Sequence, residues 1–253
     1  MYETGSDECI DESLDEELSI WRDASALRKH FEQYDTTNIA QDLEGNLEGC
    51  KKEPVNIAVT GQSGKGKSSL INAFLGLSEV DVKAAPVGEK ETTSNCYPYN
   101  HPRYKNIVFW DIPGCGTQNF PQHSYMENIN ASQYDFFLIV SSERFHELDI
   151  WLAKEILKRK SLGNCYFVRS KVDIDMDNRE KRHKLKKGIS TNKQLFEEFK
   201  LEVKTDIIKA LGKDTHIQLF LLSSRCPDKY DFEPLQLKIL EDASISKRIS
   251  LIF

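Results

Sequence analysis

A glycine-rich segment has the residue types and spacing needed to hold a chain of phosphates. Gly61-Gln-Ser-Gly-Lys-Gly-Lys-Ser68 fits the pattern G-x-x-x-x-G-K-[ST]. The glycines let the backbone curl so that successive N–H groups point at one phosphate, and a helix that starts there adds the positive end of its dipole. In this pattern Lys67 reaches the β- and γ-phosphates, and the Ser68 hydroxyl binds Mg²⁺. We therefore predict a P-loop with nucleotide contacts from Gly61, Ser63, Gly64, Lys65, Gly66, Lys67, Ser68 and Ser69.

A second motif, Asp111-Ile-Pro-Gly114, comes 50 residues after Gly61, at the end of an apolar segment. A carboxylate there can hold Mg²⁺ through water, and the Gly114 N–H can meet the γ-phosphate. Between the two motifs lies the polar loop Pro86–Asn95, where a threonine would complete the Mg²⁺ shell. Thr92 and Thr93 both qualify, and their spacing alone does not choose between them.

A third motif, Ser170-Lys171-Val172-Asp173, resembles the guanine-reading pattern [NT]KxD. The Asp173 carboxylate would accept hydrogen bonds from guanine N1–H and the exocyclic amine, and the Lys171 stem would stack along the base. Ser170 stands where Asn or Thr is usual, which keeps a hydroxyl but could weaken the brace to the P-loop. Ser223-Ser224 fits the loop that supplies a backbone N–H to guanine O6. In isolation SKVD is equally compatible with an ordinary turn, but its position after the other two motifs favours a guanine site.

The elements that position these motifs alternate along the chain. Short apolar segments rich in β-branched and aromatic residues predict buried strands, and apolar residues at helical spacing predict helices between them. The predicted strands are Val55–Thr60, Asn106–Asp111, Phe136–Ser142, Cys165–Ser170 and Ile217–Ser223. The predicted helices run from Lys67 to about Leu75, over Glu147–Lys160 and over Ser190–Leu211. This alternation predicts an α/β fold with a mixed, mostly parallel sheet covered by helices on both faces.

Composition divides the 253 residues into four parts. Residues 1–17 are acidic and predict a disordered arm, residues 18–53 predict two amphipathic helices, and residues 54–242 form the nucleotide-binding domain. Residues 243–253 look like the start of a further helical segment. A formal charge of −6 argues against a dedicated DNA-binding protein, and no apolar run is long enough to span a membrane or to act as a secretory signal. The six cysteines include no CxxC pair and predict reduced thiols in a cytosolic protein without structural zinc.

One charged segment stands outside these motifs. Arg179–Lys187 (REKRHKLKK) has six Lys or Arg in nine residues. We interpret it as a solvated loop that leads into the next helix, with a patch for anionic lipid or a protein partner as the alternative.

Taken together, the motifs resemble those of the Ras-type GTPase core. The particular residues in and around them resemble those of the interferon-inducible, immunity-related GTPases. The resemblance is carried by GQSGKGKSSLINAFLG, NIVFWDIPGCGTQNFP, YDFFLIVSSERF, CYFVRSKVD and LFLLSS…YDFEPL, and it runs from about residue 54 to 240. It implies a Ras-like GTPase core with an N-terminal helical appendage that uses GTP, GDP and Mg²⁺. It also implies dimerisation through the nucleotide faces and action in the cytoplasm on intracellular vacuole membranes in cell-autonomous immunity.

The resemblance also assigns roles in the loop before the second motif. Thr93 matches the magnesium-sensing threonine, and Glu91 matches a switch glutamate linked to hydrolysis in the family dimer. Family members usually continue into a C-terminal helical domain, whereas this chain stops at Phe253, which suggests a short form or a fragment.

The residue after the glycine of the second motif bears on turnover. In Ras-type enzymes it is a glutamine that orients the attacking water, and here it is Cys115, a weak donor, with Gln118 three residues on. We expect a slow GTPase that is switched by dimerisation. The alternative is a GTP- or GDP-dependent binding or scaffold protein with negligible turnover. An ATP-using P-loop kinase is a distant third, because it leaves SKVD and Ser223-Ser224 unexplained.

Overall fold

The structure, a computed structural model, describes residues 54–88, 95–102, 104, 106–117, 119–160, 164–185, 191–212 and 217–243. These residues form one six-stranded sheet, with strands β1 Val55–Thr60, β2 Tyr97–Asn100, β3 Ile107–Asp111, β4 Phe136–Ser141, β5 Cys165–Arg169 and β6 Gln218–Leu221. The order of the strands across the sheet is β2-β3-β1-β4-β5-β6. Strand β2 pairs antiparallel with β3 at one edge, and all the other neighbours pair in parallel. The sheet is therefore mixed and mostly parallel, as predicted.

Helices cover both faces of the sheet. They are α1 Lys67–Leu75, α2 Tyr125–Asn128, α3 Glu147–Arg159, α4 Val172–Leu185, α5 Asn192–Leu211 and α6 Phe232–Asp242, with short 3₁₀ turns at Gln122–Ser124 and Ala131–Gln133. Buried side chains of α1 and α6, such as Phe74 and Phe232, pack on one face. Those of α2, α3 and α5, such as Leu152 and Phe199, pack on the other. Because both faces are covered, most side chains of the central strands are apolar, rather than only alternate ones.

Most of the predicted elements are confirmed, with ends that move by one or two residues. The strand β2 was not predicted, because its sequence, Tyr97-Pro-Tyr-Asn100, contains a proline and is largely exposed at the sheet edge. The predicted loop at the basic run Arg179–Lys187 is wrong as far as Leu185, since these residues are the end of helix α4. The side chains of Lys181, Arg182 and Lys184 are exposed there, as expected for a solvated segment.

Several predictions concern residues outside the described ranges. These are the acidic arm at 1–17, the helices at 18–53, the switch-loop residues Glu91, Thr92 and Thr93, Gln118, and the segment 244–253. The domain boundaries at 54 and 242 also stay predictions. Among the described residues, no helix is long and apolar enough to cross a membrane. The four described cysteines, Cys96, Cys115, Cys165 and Cys226, are free thiols, in agreement with the prediction.

The topology brings the motifs together. Strands β1, β3, β4, β5 and β6 run parallel, so their carboxyl ends lie at one edge of the sheet. The P-loop follows β1, Asp111 ends β3, and Ser170 follows β5. Strand β1 lies between β3 and β4. The chain therefore adds β3 on one side of β1 and β4 on the other, and the direction of the strand order reverses at β1. That reversal is where ligands bind in open α/β sheets.

Candidate nucleotide-binding site

The P-loop begins with a backbone approach that only glycine allows. Gly61 has φ 143°, and a Cβ atom built there would lie 2.3 Å from the carbonyl oxygen of Val140 in β4. The loop then turns back and enters α1, whose N-cap is Gly66 in the left-handed conformation. Helix α1 therefore directs its first N–H groups at the space enclosed by the loop, as a phosphate site requires.

Lys67 lies at the start of α1 and is folded back over the loop. Its Nζ donates to the carbonyl oxygen of Gln62 at 2.9 Å, and the side chain is only 7% exposed. The ammonium group is thus held within the P-loop rather than in bulk water. Ser63 and Gly64 are exposed at the tip of the loop, whereas Lys65, Ser68 and Ser69 are half-buried.

The oxygen atoms predicted to bind Mg²⁺ lie together. The Ser68 hydroxyl donates to Asp111 Oδ2 at 2.6 Å, although the two residues are 43 positions apart, and Asp111 is 1% exposed. A hydroxyl and a carboxylate are the hard oxygen ligands that Mg²⁺ prefers, so the described residues fit this ion. The third predicted ligand, Thr93, lies outside the described residues.

The turn after Asp111 packs directly on the P-loop. A Cβ atom at Gly114 would lie 2.8 Å from the backbone nitrogen of Ser63, so this position has no space for a side chain. The DxxG turn and the P-loop therefore form one continuous wall of the site.

The SKVD segment is joined to the P-loop by side-chain hydrogen bonds. The Ser170 hydroxyl donates to the carbonyl oxygen of Lys65 at 2.7 Å, and Lys171 Nζ donates to the carbonyl oxygen of Gly64 at 3.1 Å. Lys171 has φ 58°, a left-handed conformation that turns the chain from β5 into α4. The serine at position 170 thus makes the contact that its departure from the usual Asn or Thr put in doubt.

The residues predicted to read guanine also lie side by side. The Ser223 hydroxyl donates to Asp173 Oδ1 at 2.8 Å, which holds one oxygen of that carboxylate in place. Backbone bonds from Val172 N to Leu222 O (3.2 Å) and from Leu222 N to Arg169 O (2.7 Å) tie the two loops together. Ser224 follows in the turn and is half-buried.

Comparison with known proteins adds an independent observation. The family model described as "Interferon-inducible GTPase (IIGP)" matches residues 23–253. This chain belongs to that family. The resemblance found in the motifs is thereby confirmed. In Mus musculus, "T-cell-specific guanine nucleotide triphosphate-binding protein 2" is 35% identical over 226 residues, which cover 89% of this chain and 53% of that protein. "Interferon-inducible GTPase 1" of the same species is 37% identical over 198 residues, 77% of this chain and 45% of that protein. The chain thus spans about half the length of the curated relatives it matches.

Solved structures with the same architecture are more distant in sequence. Toc33 from Arabidopsis thaliana is 17% identical with a TM-score of 0.52, over 86% of this chain and 95% of that one. The bacterial dynamin GTPase LeoA from ETEC is 13% identical with a TM-score of 0.51, over 90% of this chain and 42% of that one. These likenesses show the fold alone, which is that of a P-loop GTPase domain, as predicted.

In this member of the interferon-inducible GTPase family, the residue at the position of the water-orienting glutamine of Ras is buried. Cys115 is 3% exposed. Burial, reinforced by the nearby Asp149 carboxylate, raises the pKa of its thiol to about 12. The thiol therefore keeps its proton at neutral pH and cannot act as a base. Asp149 itself is buried at the start of α3, with Oδ2 accepting from the backbone N–H of His146 at 3.0 Å.

Sequence reasoning did not identify Thr60 and Tyr125 as residues of the site. The Tyr125 hydroxyl lies 2.7 Å from Thr60 Oγ1 and 2.9 Å from the carbonyl oxygen of Pro113. Tyr125 lies in a short helix outside every motif, and no local pattern links it to a threonine 65 positions earlier. A tertiary contact of this kind has no signal in a single sequence.

Proposed function

We propose that this chain binds GTP and hydrolyses it to GDP and phosphate with Mg²⁺. The observation that carries the proposal is the meeting of three motif loops at one edge of the sheet, with Ser68 against Asp111 and Ser170 against Lys65. Ser68 and Asp111 would hold the ion, together with Thr93. Bound Mg²⁺ would neutralise charge that develops on the phosphates.

The nucleotide base would be guanine rather than adenine. The Asp173 carboxylate, oriented by Ser223, would accept from the N1–H and exocyclic amine of guanine, which adenine does not offer in that arrangement. Lys171, held by the Gly64 carbonyl, would lie along the base, and the turn at Ser223-Ser224 would donate a backbone N–H to O6. Lys67 would leave the Gln62 carbonyl for the β- and γ-phosphates, and Gly114 would donate its N–H to the γ-phosphate.

Turnover by the lone chain would be slow, and a second molecule would accelerate it. Cys115 is buried and protonated, so it does not replace the water-orienting glutamine. Membership of the family supports dimerisation through the nucleotide faces, with Glu91 of the switch loop at the shared face. It also supports a role in cell-autonomous immunity as a cytoplasmic protein with peripheral contact to intracellular membranes.

The test is GTP turnover per molecule, measured from nanomolar to high micromolar protein with saturating GTP and Mg²⁺. We expect turnover to rise with protein concentration, and Glu91→Ala to abolish the rise while GTP binding stays nearly intact. Glu127→Ala is the matched control, since Glu127 is exposed beside Arg159 at the far end of α3, away from the P-loop. Turnover that stays flat over this range would refute the dimer mechanism.

The same experiment separates the second candidate, a nucleotide-dependent binding or scaffold protein. Its support is again Cys115, because a buried thiol at this position leaves the site without an evident water-orienting group of its own among the described residues. Tight GTP binding with negligible turnover at every concentration would favour this function over hydrolysis.

A further inference from the structure

Tyr125 is a fully buried tyrosine whose hydroxyl lies between the two phosphate motifs. It donates to the carbonyl oxygen of Pro113 at 2.9 Å and lies 2.7 Å from Thr60 Oγ1. A phenol has one hydrogen to give, and Pro113, whose carbonyl only accepts, takes it. The Thr60 hydroxyl must therefore donate to the tyrosine oxygen. The result is a directed chain from Thr60 through Tyr125 to Pro113, in which each bond polarises the next.

The two ends of this chain are the residues next to the motif glycines. Thr60 is the last residue of β1 and is followed by Gly61 of the P-loop, whereas Pro113 is followed by Gly114 of the DxxG turn. The hydroxyl of Tyr125 thus ties the base of one motif to the base of the other.

The bond to Pro113 fixes the orientation of one peptide group. Every peptide bond among the described residues is trans, so the C=O of Pro113 and the N–H of Gly114 point in opposite directions. Because the carbonyl points at Tyr125, the Gly114 N–H points away from that side chain. Gly114 itself lies against Ser63 of the P-loop, with 2.8 Å between its absent Cβ and the Ser63 nitrogen.

The tyrosine is well suited to hold this peptide rigidly. Its ring packs edge-on against Phe120, which belongs to the same loop as Gly114, with 6.4 Å between ring centroids. Burial raises the pKa of Tyr125 well above its usual value, so the hydroxyl keeps the proton that it donates.

We propose that Tyr125 is a positioning residue for the γ-phosphate: its hydroxyl, supported by Thr60, holds the Pro113–Gly114 peptide so that the Gly114 N–H faces the nucleotide. The inference rests on the proposed function, because it assigns a device for recognising the triphosphate at that same site. GDP has no γ-phosphate for this N–H to meet. Loss of the hydroxyl should therefore weaken GTP binding selectively, which a merely structural tyrosine would not do.

The test uses the full chain and the substitution Tyr125→Phe, which keeps the ring and removes the hydroxyl. Affinities for GDP and for a non-hydrolysable GTP analogue are measured with Mg²⁺, alongside thermal unfolding. We expect affinity for the analogue to fall about two- to twelvefold, the range set by the loss of one hydrogen bond, with GDP affinity close to that of the wild type.

Tyr166→Phe is the matched control. Tyr166 is also fully buried, and its hydroxyl donates to Asp242 Oδ2 at 3.0 Å in helix α6, away from the phosphate motifs. The substitution Tyr166→Phe should lower the unfolding temperature without changing the ratio of the affinities for the GTP analogue and for GDP. An unchanged ratio in Tyr125→Phe, or an equal fall for both nucleotides, would overturn the inference.

A second pair of variants covers the case in which Tyr125→Phe does not fold. Thr60→Val removes the supporting hydroxyl at nearly constant shape, and Thr60→Ser keeps it. Thr60→Val should show a smaller selective loss of affinity for the analogue, and Thr60→Ser should show none; this result supports the inference. A ratio of analogue affinity to GDP affinity that is the same in Thr60→Val and Thr60→Ser would refute it. A wild-type chain that binds neither nucleotide would instead refute the proposed function, and the inference with it.

Discussion

Replacing Ser170 by alanine should loosen the P-loop without disturbing the fold around it. The Ser170 hydroxyl donates to the Lys65 carbonyl at 2.7 Å and lies 3.4 Å from the Ser141 carbonyl, so its main partner is the P-loop. The backbone N–H of Ser170, bonded to Ser141 O at 2.8 Å, is unaffected by the substitution. The strand end therefore stays in place while the P-loop loses its brace.

The expected loss of nucleotide affinity in Ser170→Ala follows from the burial of Ser170 and from the kind of hydrogen bond that is lost. Ser170 is 2% exposed, so water does not readily replace the lost donor at the Lys65 carbonyl. A neutral hydrogen bond of this type contributes about 0.5–1.5 kcal/mol net, which corresponds to roughly a two- to twelvefold loss of affinity. The affected segment lies beside Gly64 and Gly66, which would contact phosphates that GDP and GTP share. Both nucleotides should thus lose affinity by the same factor.

The measurement is equilibrium binding of labelled GDP and of a non-hydrolysable GTP analogue to the wild type and to Ser170→Ala. Ser170→Thr is the control, since threonine keeps the hydroxyl and is one of the residues usual in this motif; its affinities should stay close to the wild type. Unchanged affinity in Ser170→Ala would mean that this bond does not stabilise the binding conformation. A loss confined to the triphosphate would mean that the brace acts on the γ-phosphate instead.

Three further predictions concern the base, the phosphates and alkaline stability. Asp173→Asn should cost guanine binding roughly 2–4 kcal/mol and improve xanthine binding, while the amide oxygen can still accept from Ser223; equal wild-type affinity for ATP and GTP would refute the guanine assignment. Lys67→Ala should greatly reduce triphosphate affinity or turnover with little change in unfolding temperature, because the Lys67 ammonium is held within the P-loop, where Nζ donates to the Gln62 carbonyl. Unchanged affinity and turnover would mean that the loop does not cradle phosphates. Burial raises the pKa of the Cys165 thiol from 9.0 to about 12, so the unfolded chain releases this proton first. The contribution of this group to stability should therefore fall as pH rises from about 9, by up to about 1.4 kcal/mol per pH unit. Burial raises the pKa of the Cys115 thiol in the same direction, so Cys165→Ala should reduce the slope of urea-unfolding stability against pH rather than abolish it, and an equal slope would contradict the prediction.

The parts of the structure that sequence predicted well are those whose physics is local. A central parallel strand buried on both faces is a continuous apolar segment, which is why Val55–Thr60 and Phe136–Ser141 could be located to within a residue. The P-loop could be located for a similar reason, since the chemistry of a phosphate cradle requires glycines and a lysine at fixed spacing.

The elements that escaped prediction lack such a local signal. Helix α4, Val172–Leu185, is almost entirely polar and packs through few apolar side chains, such as Val172 and Met176. Its sequence therefore has no apolar stripe from which the helix could be predicted. Its position is set instead by tertiary contacts. Arg169 at the end of β5 bonds Asp175 at 2.8 Å, and the Arg179 guanidinium lies 4.3 Å from the ring centroid of Phe199 in α5.

The site combines tightly packed phosphate loops with an unusual side chain at the position that orients water in Ras-type enzymes. Close backbone contacts fix the phosphate loops: Gly61 lies against Val140 and Gly114 against Ser63, with no room for a side chain at either position. The position that would orient the attacking water is instead a buried, protonated thiol at Cys115. A site that is rigid toward phosphates but lacks its own water-orienting group at this position is better suited to binding and sensing a nucleotide than to rapid turnover alone. In the proposed mechanism, acceleration would come from a second molecule that meets this one at the nucleotide face. For this reason concentration-dependent turnover is the measurement on which the hydrolytic function depends.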